Sequence, residues 1–217
     1  MIYEHRTYTL LPGKLPEWLE HFGHDTVPLF EKYGAGLVGV WRTAIGTSNE
    51  AVYILSFENL SHREKVWQDI RQDDLFIKSV VQGPPRVEKV VNKIARATDY
   101  SPAKVTQPAG EKWVYVHRTH SVVPGKMQEF HEFRKKSLPI WEKHGMHIVS
   151  YLQTTVGESN EVISITAFNG PDGQDEVNDA IHRDEAFQAL ARERRGSITD
   201  VKTVTTILQA TNYSPLK

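Results

Sequence analysis

A histidine followed by an arginine occurs twice in the chain, as His5-Arg6 in YEHRTY and as His117-Arg118 in YVHRTH. Both pairs lie in runs of β-branched and aromatic residues that predict strands, where adjacent side chains point to opposite faces. Each imidazole therefore faces away from the neighbouring guanidinium. A guanidinium presents a fork of donors and stays charged when partly buried, so Arg6 and Arg118 are candidates for binding an anionic or carbonyl-bearing substrate.

The same residues also have structural interpretations, which the sequence leaves open. Arg6 would then form an ion pair with Glu4 or with Glu50. His5 and His117 are candidate catalytic acids or bases, because imidazole titrates near neutral pH. Each can instead be a hydrogen-bonded core histidine.

The third candidate for proton transfer is His120, which stands where the first copy of the string has Tyr8. Strand periodicity places His120 on the face of Arg118 and Tyr8 on the face of Arg6. A nearby fixed cation lowers the pKa of an imidazole, so we expect His120 to be a neutral base. Tyr8 is a candidate substrate contact.

Tryptophans supply further candidates for a ligand pocket. Trp41 and Trp67 are replaced in the second half by Leu152 and Asn178, so the space around them differs between the halves. They are therefore predicted substrate contacts, whereas Trp18 and Trp141 are interpreted as core residues.

Metal and nucleotide motifs are weak or absent. Histidine pairs spaced three residues apart, such as His21 and His24, come without the glutamate of a zinc-protease helix or a third ligand. The sequence holds no Walker loop, dinucleotide fingerprint or nucleophile elbow. No metal site and no cofactor are predicted.

Composition narrows the classes of partner. The 217 residues include 26 Lys and Arg against 27 Asp and Glu, so no general positive field attracts nucleic acid or an acidic membrane. Cysteine is absent, which excludes disulfides and thiolate chemistry. No signal peptide or spanning segment is evident, so we predict a cytoplasmic protein whose partners are a small molecule and further copies of itself.

The two His-Arg strings belong to a repeat that extends over the chain at an offset of about 111 to 113 residues. PLFEKYG matches PIWEKHG, GTSNE matches GESNE, and ATDYSP matches ATNYSP. A gene duplication explains the repeat. We predict two domains, 1–102 and 112–217, joined by a polar linker over 103–111.

Each half predicts the same order of elements. In the first half, strands are expected over Ile2–Leu10, from Leu37, from Ala51 and over Val87–Ala97. A helix is expected over Leu15–Tyr33 with a kink or break at Pro28, and a second begins at Ser61 as N-cap with Glu64 completing a capping box. A shorter helix is expected over Leu75–Val81.

The order β-α-β-β-α-β is the split βαβ pattern, in which helices cover one face of a four-stranded antiparallel sheet. Two such units can bury their open faces against each other. The predicted fold class is therefore α+β, with two ferredoxin-like units packed sheet to sheet as a fused dimeric α+β barrel.

These motifs resemble the NIPSNAP family of the dimeric α+β barrel superfamily. The resemblance rests on YEHRTY with PGK, on EKYG and GTSNE, and on Arg63, Trp67 and Phe76, and it recurs in each half. The second half departs from the pattern, because Gln174 replaces Arg63 and Asn178 replaces Trp67. Any site that uses those side chains is expected to be asymmetric.

The resemblance implies no single reaction, because related barrels include cofactor-independent monooxygenases, haem enzymes, cyclases and dehydratases. The first hypothesis is a protein that binds or transforms a small organic molecule in a pocket without a nucleotide cofactor. A haem-binding branch would need an axial histidine such as His21 or His131. The alternative is a non-enzymatic interaction or scaffold protein.

Overall fold

The computed structural model describes residues 1–103, 113–194 and 197–216, which form two compact units. The first comprises 1–96, 155–157 and 209–216, and the second comprises 97–103, 113–154, 158–194 and 197–208. The units thus differ from the predicted halves in their tails, since 97–103 groups with the second unit and 209–216 with the first. Apart from Ala103, the predicted linker lies outside the described residues.

The first unit alternates strands and helices in the predicted order. Its strands are β1 (Ile2–Leu10), β2 (Gly36–Ile45), β3 (Glu50–Phe57) and β4 (Val87–Ala97). Its α-helices are α1 (Leu15–His21), α2 (Val27–Tyr33), α3 (Leu60–Gln72) and α4 (Asp74–Phe76). Two π-helical segments, Phe22–Thr26 after α1 and Ile77–Val81 after α4, complete it.

The second unit repeats this order with fewer interruptions. Its strands are β5 (Trp113–Val122), β6 (His147–Val156), β7 (Glu161–Asn169) and β8 (Asp200–Ala210). Its helices are α5 (Met127–Lys143), α6 (Gly173–Arg183) and α7 (Glu185–Glu193).

Both sheets are antiparallel and have the same strand order. In the first unit β1 is central, pairing with β3 on one side and β4 on the other, and β2 pairs with β3. In the second unit β5 likewise pairs with β7 and β8, and β6 pairs with β7. These are the orders 4-1-3-2 and 8-5-7-6, so the predicted α+β fold with two ferredoxin-like units is confirmed.

One face of the first sheet carries the side chains that pack against the helices. The cluster joins Tyr53 and Leu55 of β3 to Phe30 of α2 and to Val66 and Ile70 of α3. The equivalent cluster of the second unit contains Val116, Phe130, Phe168, Val177 and Ile181. Arg6 and Arg118 lie on the helix-covered faces of their sheets, and His5 and His117 lie on the opposite faces.

Two local predictions need correction or refinement. The N-cap of α3 is Asn59, whose side chain accepts a hydrogen bond from the His62 backbone N–H at 2.9 Å, so the prediction of Ser61 as N-cap is wrong. The helix expected over Leu15–Tyr33 is continuous, but a π-helical segment separates α1 from α2, and Pro28 lies in the first turn of α2.

Candidate functional site

A fully buried carboxylate organises the helix-covered face of the first sheet. Glu4 of β1 accepts two hydrogen bonds from Arg63 of α3, Nη2 to Oε1 at 2.7 Å and Nε to Oε2 at 3.0 Å. The Trp67 indole N–H donates to Oε2 at 2.7 Å, and Arg6 Nη1 donates to Oε1 at 3.1 Å. Every donor is fixed by the fold, so the burial of this charge is compensated.

Aromatic rings enclose the Arg6 guanidinium. Its carbon lies 4.6 Å from the Trp67 ring centroid, 5.5 Å from that of Tyr8 and 5.8 Å from that of Tyr53. Arg6 Nη2 also donates to the Tyr8 hydroxyl at 2.9 Å. The arginine is therefore held by cation–π contacts in addition to its ion pair.

The charge balance of this cluster favours a cationic Arg6. Burial lowers the pKa of Arg6, but Tyr53, Tyr8 and Glu4 together raise it by more, so the net direction is upward. Burial likewise raises the pKa of Tyr53 well above its ordinary value. The structure thus gives Arg6 the Glu4 ion pair that was the structural interpretation of this residue.

The second unit keeps the arginine and lacks its carboxylate. Arg118 occupies the place of Arg6 on β5, but Val116 stands where the first unit has Glu4. Among the described residues, no carboxylate lies within ion-pair distance of Arg118 or of Arg134, a cation that α5 adds beside it. Burial lowers the pKa of Arg118; Tyr151 opposes this shift and Arg134 adds to it. The same strand position thus has opposite pKa shifts in the two units.

Polar atoms without a hydrogen-bond partner among the described residues share the sheet face of Arg118. Ser164 lies directly across from Arg118 on β7, and Thr166 lies across from Val116, so both share the face of Arg118. Their side chains are 1 % exposed, and neither hydroxyl has a hydrogen-bond partner among the described residues. The Arg134 Nε atom is also buried without a partner. A cluster of such orphans in a native structure calls for an explanation.

His120 lies on the same face and is 2 % exposed. Its Nδ1 is 3.3 Å from the Thr203 hydroxyl and 3.6 Å from Oδ1 of Asp200, while its Nε2 is buried with no hydrogen-bond partner among the described residues. Burial is the largest cause of a lowered His120 pKa; Asp200 opposes the shift, and Arg134 and Arg118 contribute to it. The direction agrees with the sequence argument, but burial outweighs the effect of Arg118.

Three predicted site residues lie on the other face of their sheets. His5 and His117 alternate with the arginines along β1 and β5, as the strand period requires. The pairing of β2 with β3 places Trp41 on the same face as His5. The Trp41 ring packs against Gly39 so closely that a Cβ atom at position 39 would lie 2.3 Å from the ring. The structure therefore groups Arg6, Tyr8 and Trp67, and separates Trp41 from them.

The two histidines predicted as possible haem ligands differ in how many of their ring nitrogens are already hydrogen-bonded. His131 uses both ring nitrogens, Nδ1 at 2.8 Å from the Tyr100 hydroxyl and Nε2 at 3.1 Å from the Gln153 side-chain oxygen. It cannot serve as an axial ligand without breaking one of these bonds. The Nδ1 atom of His21 lies 3.1 Å from a carboxylate oxygen of Asp25, and its Nε2 has no hydrogen bond to another described residue. Across the described residues, no group of three or more potential metal ligands is found.

Comparison with known proteins places this architecture in a family. The NIPSNAP family model matches residues 3–102 and again 115–215. The chain belongs to the NIPSNAP family, as two tandem domains.

Two relatives agree with this assignment, one over the whole of the NIPSNAP chain and one over part of it. The human protein NipSnap homolog 3A is 24 % identical over 220 residues, which covers 100 % of this chain and 86 % of the human one. A NipSnap homolog from Dictyostelium discoideum is 26 % identical over 131 residues, 59 % of this chain, and the match spans about half of that relative, 52 %. No helix among the described residues is long and apolar enough to cross a membrane.

Solved structures agree with the fold of this NIPSNAP chain. A putative monooxygenase from Lactobacillus acidophilus superposes with a TM-score of 0.63 at 16 % identity, covering 96 % of this chain and 93 % of that one. An anthrone oxidase-like protein gives a TM-score of 0.64 at 12 % identity, covering 97 % and 91 %. These likenesses show the fold alone.

Sequence reasoning found the arginines and missed the groups that distinguish them. Glu4 was considered only as one partner of Arg6, and neither Arg134 nor Asp200 was singled out. Reading the repeat at every position would have found the signal, since Glu4 becomes Val116 and Phe22 becomes Arg134. Asp200 has no such signal, because it approaches His120 only through strand pairing.

Glu4→Gln tests whether the buried carboxylate compensates two half-buried arginines. Removing its charge leaves Arg6 and Arg63 facing a neutral amide, so we expect the free energy of unfolding to fall by about 3–5 kcal/mol. Guanidinium-induced unfolding followed by tryptophan fluorescence measures the change. Glu50→Gln, the same substitution at the hairpin, is the matched control and should cost about 1 kcal/mol or less. Equal losses in the two variants would contradict the account.

Arg6→Ala and Arg118→Ala are expected to have different effects on the melting temperature. The first variant removes an ion pair and three aromatic contacts, and lowers the melting temperature. The second removes a cation whose pKa is lowered by Arg134 and which has no ion-pair partner among the described residues, and leaves the melting temperature in ligand-free buffer unchanged or higher. Differential scanning calorimetry compares them, and a matching loss in both would mean that Arg118 also has a stabilising partner.

Proposed function

We propose that the second unit binds a small organic carboxylate against Arg118, and that the ligand's carboxylate does there what the Glu4 side chain does in the first unit. The observation that carries the proposal is the retention of Arg118 next to Val116. The duplicated strand keeps the cation and has exchanged its internal anion for a methyl-bearing side chain.

Energetics support an external anion. Arg118 is half-buried, so leaving it without a counter-charge is unfavourable, and Arg134 lies close enough to lower the pKa of Arg118 as well. A bound carboxylate would accept from both guanidiniums. The Ser164 hydroxyl across the strand would gain a partner at the same time.

We infer the organic part of the ligand from two aromatic side chains of the first unit that are replaced by smaller polar ones in the second. Ser164 stands in place of Tyr53, and Asn178 in place of Trp67, which are two of the three rings that enclose Arg6 in the first unit. We therefore propose a ligand with an aromatic or other flat group next to its carboxylate, stacked on a guanidinium as those rings are.

His120 gives the site a group that can move a proton. Its lowered pKa keeps the ring neutral near pH 7, and Nε2 is the ring atom without a hydrogen-bond partner in the described part of the chain. With Nδ1 directed at Asp200 and Thr203, the tautomer that protonates Nδ1 leaves a lone pair on Nε2. Binding is the function proposed, and abstraction of a proton next to the carboxylate is the chemistry that this geometry would support.

Isothermal titration with benzoate tests the binding, and benzamide serves as the neutral ligand of the same shape. We expect benzoate to bind and benzamide to bind at least tenfold more weakly. Arg118→Gln should remove about 1.5–3 kcal/mol of binding free energy, the range for hydrogen bonds to charged groups. Arg42→Gln makes the same charge change on an exposed arginine of the first unit and should leave benzoate affinity unaltered.

Val116→Glu provides the complementary variant, because it restores an internal carboxylate beside Arg118. We expect it to abolish benzoate binding. Benzoate affinity that is the same in the parent protein, Val116→Glu and Arg118→Gln would overturn the proposal, as would binding of benzamide and benzoate with equal affinity.

The pH dependence of benzoate binding tests His120 separately. A bound carboxylate favours the protonated imidazole and so raises a pKa that burial lowers in the free protein. Affinity should therefore rise as pH falls from about 7 to about 5, a range in which benzoate itself stays ionised. His120→Gln should give a flat profile. A profile that slopes equally in the variant would assign the proton to another group.

A further inference from the structure

A second concave site lies in the first unit, away from Glu4 and Arg6. Its volume is about 390 Å³, within the range of small-molecule sites, and it opens between α1, the two π-helical segments and the start of β4. Trp18 and Phe22 form its aromatic wall, with ring centroids 4.5 Å apart and planes 19° from parallel. Val80 and Val81 of the second π-helical segment line the opposite side, and both side chains are exposed to solvent. Exposed apolar side chains that line a cavity are typical of a site for an apolar ligand.

Both π-helical segments of the described chain contribute to this cavity. Phe22 and Thr26 come from the first, and Ser79, Val80 and Val81 from the second. A π-helical turn is rare in proteins and is frequently found at a functional site.

The repeat shows how the first π-helical segment arises. Pro28 follows Phe22 by six positions, whereas Pro139 follows the equivalent Arg134 by five. The first unit thus has one additional residue in this helix, and an i→i+5 turn accommodates it. In the second unit α5 runs through the same region as an uninterrupted α-helix.

The π-helical segment that accommodates the extra residue also contains Asp25, whose carboxylate orients the ring of His21. Asp25, within the π-helical segment, accepts from Nδ1 of His21 at 3.1 Å and contacts His24 Nδ1 at 2.7 Å. Burial acts to raise the pKa of Asp25, but the His24 and His21 hydrogen bonds lower it by more, so the carboxylate stays ionised. An ionised carboxylate can only accept, so the neutral His21 ring carries its proton on Nδ1 and keeps the lone pair on Nε2.

The corresponding cavity of the second unit lacks these features. It is lined by Phe133 at the position of His21, by Ala191 at that of Val80 and by Thr199 at that of Arg86. No histidine lines it in the described chain. The polar end of the first cavity is thus specific to the first unit.

We propose that this cavity binds a small phenol, with its ring against Trp18 and Phe22 and its hydroxyl donating to Nε2 of His21. Asp25 is the positioning residue, because it sets the tautomer of His21 and makes Nε2 the acceptor. The site is independent of the proposed carboxylate site at Arg118, since it lies in the other unit and uses none of the same residues. Failure of one proposal therefore leaves the other standing.

Isothermal titration with 2-naphthol tests the site, and 2-fluoronaphthalene, which has a similar shape and no donor, is the matched ligand. In the parent protein we expect 2-naphthol to bind about tenfold more tightly than 2-fluoronaphthalene, the effect of one hydrogen bond. His21→Phe copies the second unit and should reduce this preference to near one. Asp25→Asn should reduce the preference while leaving 2-fluoronaphthalene affinity unchanged, which a merely structural role would not do.

Controls separate the cavity from the rest of the surface. Val80→Trp fills the cavity at an exposed position and should weaken both ligands at least tenfold, whereas Ala191→Trp fills the second-unit cavity and should not. His24→Gln removes the other contact of Asp25, outside the cavity, and should keep the preference. Equal binding to the Val80→Trp and Ala191→Trp variants, or a full hydroxyl preference in His21→Phe, would overturn the proposal.

Discussion

The buried carboxylate of Glu4 is the interaction on which the arrangement of the first unit depends. It ties β1 to α3 through Arg63 and Trp67, and it forms an ion pair with the half-buried Arg6. A single ion pair there would be costly, but four donated hydrogen bonds spread the charge over two cations and an indole. The helix, the strand and the enclosed arginine are thus coupled, and each of these side chains has its position set by the others.

The second unit shows what the same fold does without that carboxylate. Three residues of the Glu4 network are replaced there: Glu4 by Val116, Arg63 by Gln174 and Trp67 by Asn178. The contact between the strand and the helix is therefore apolar, and it is made by Val116, Val177 and Ile181. Arg118 remains, and hydroxyls without a hydrogen-bond partner among the described residues share its sheet face. Duplication allowed this divergence, because one copy could keep a satisfied network while the other acquired groups that stability does not need.

The sequence predicted most of the architecture and less of the chemistry. Strand and helix periods, together with the repeat, were sufficient for the order of elements and for the faces of Arg6 and His5, because side-chain direction alternates along a strand. The π-helical turn before Pro28 was not foreseen, since one additional residue can equally be absorbed by a loop. The contact of His120 with Asp200 was also missed, because strand register and not sequence distance brings them together.

The central claim is that Arg118 takes an external carboxylate where Arg6 takes an internal one. Anomalous diffraction from crystals soaked in 4-bromobenzoate tests it most directly, because the anomalous signal of bromine distinguishes the ligand from protein and water. The account predicts a bromine peak in the second unit with a carboxylate oxygen within about 3.2 Å of an Arg118 nitrogen, and no peak beside Arg6. A bound ligand whose carboxylate lies away from Arg118, or occupies both units equally, would contradict it.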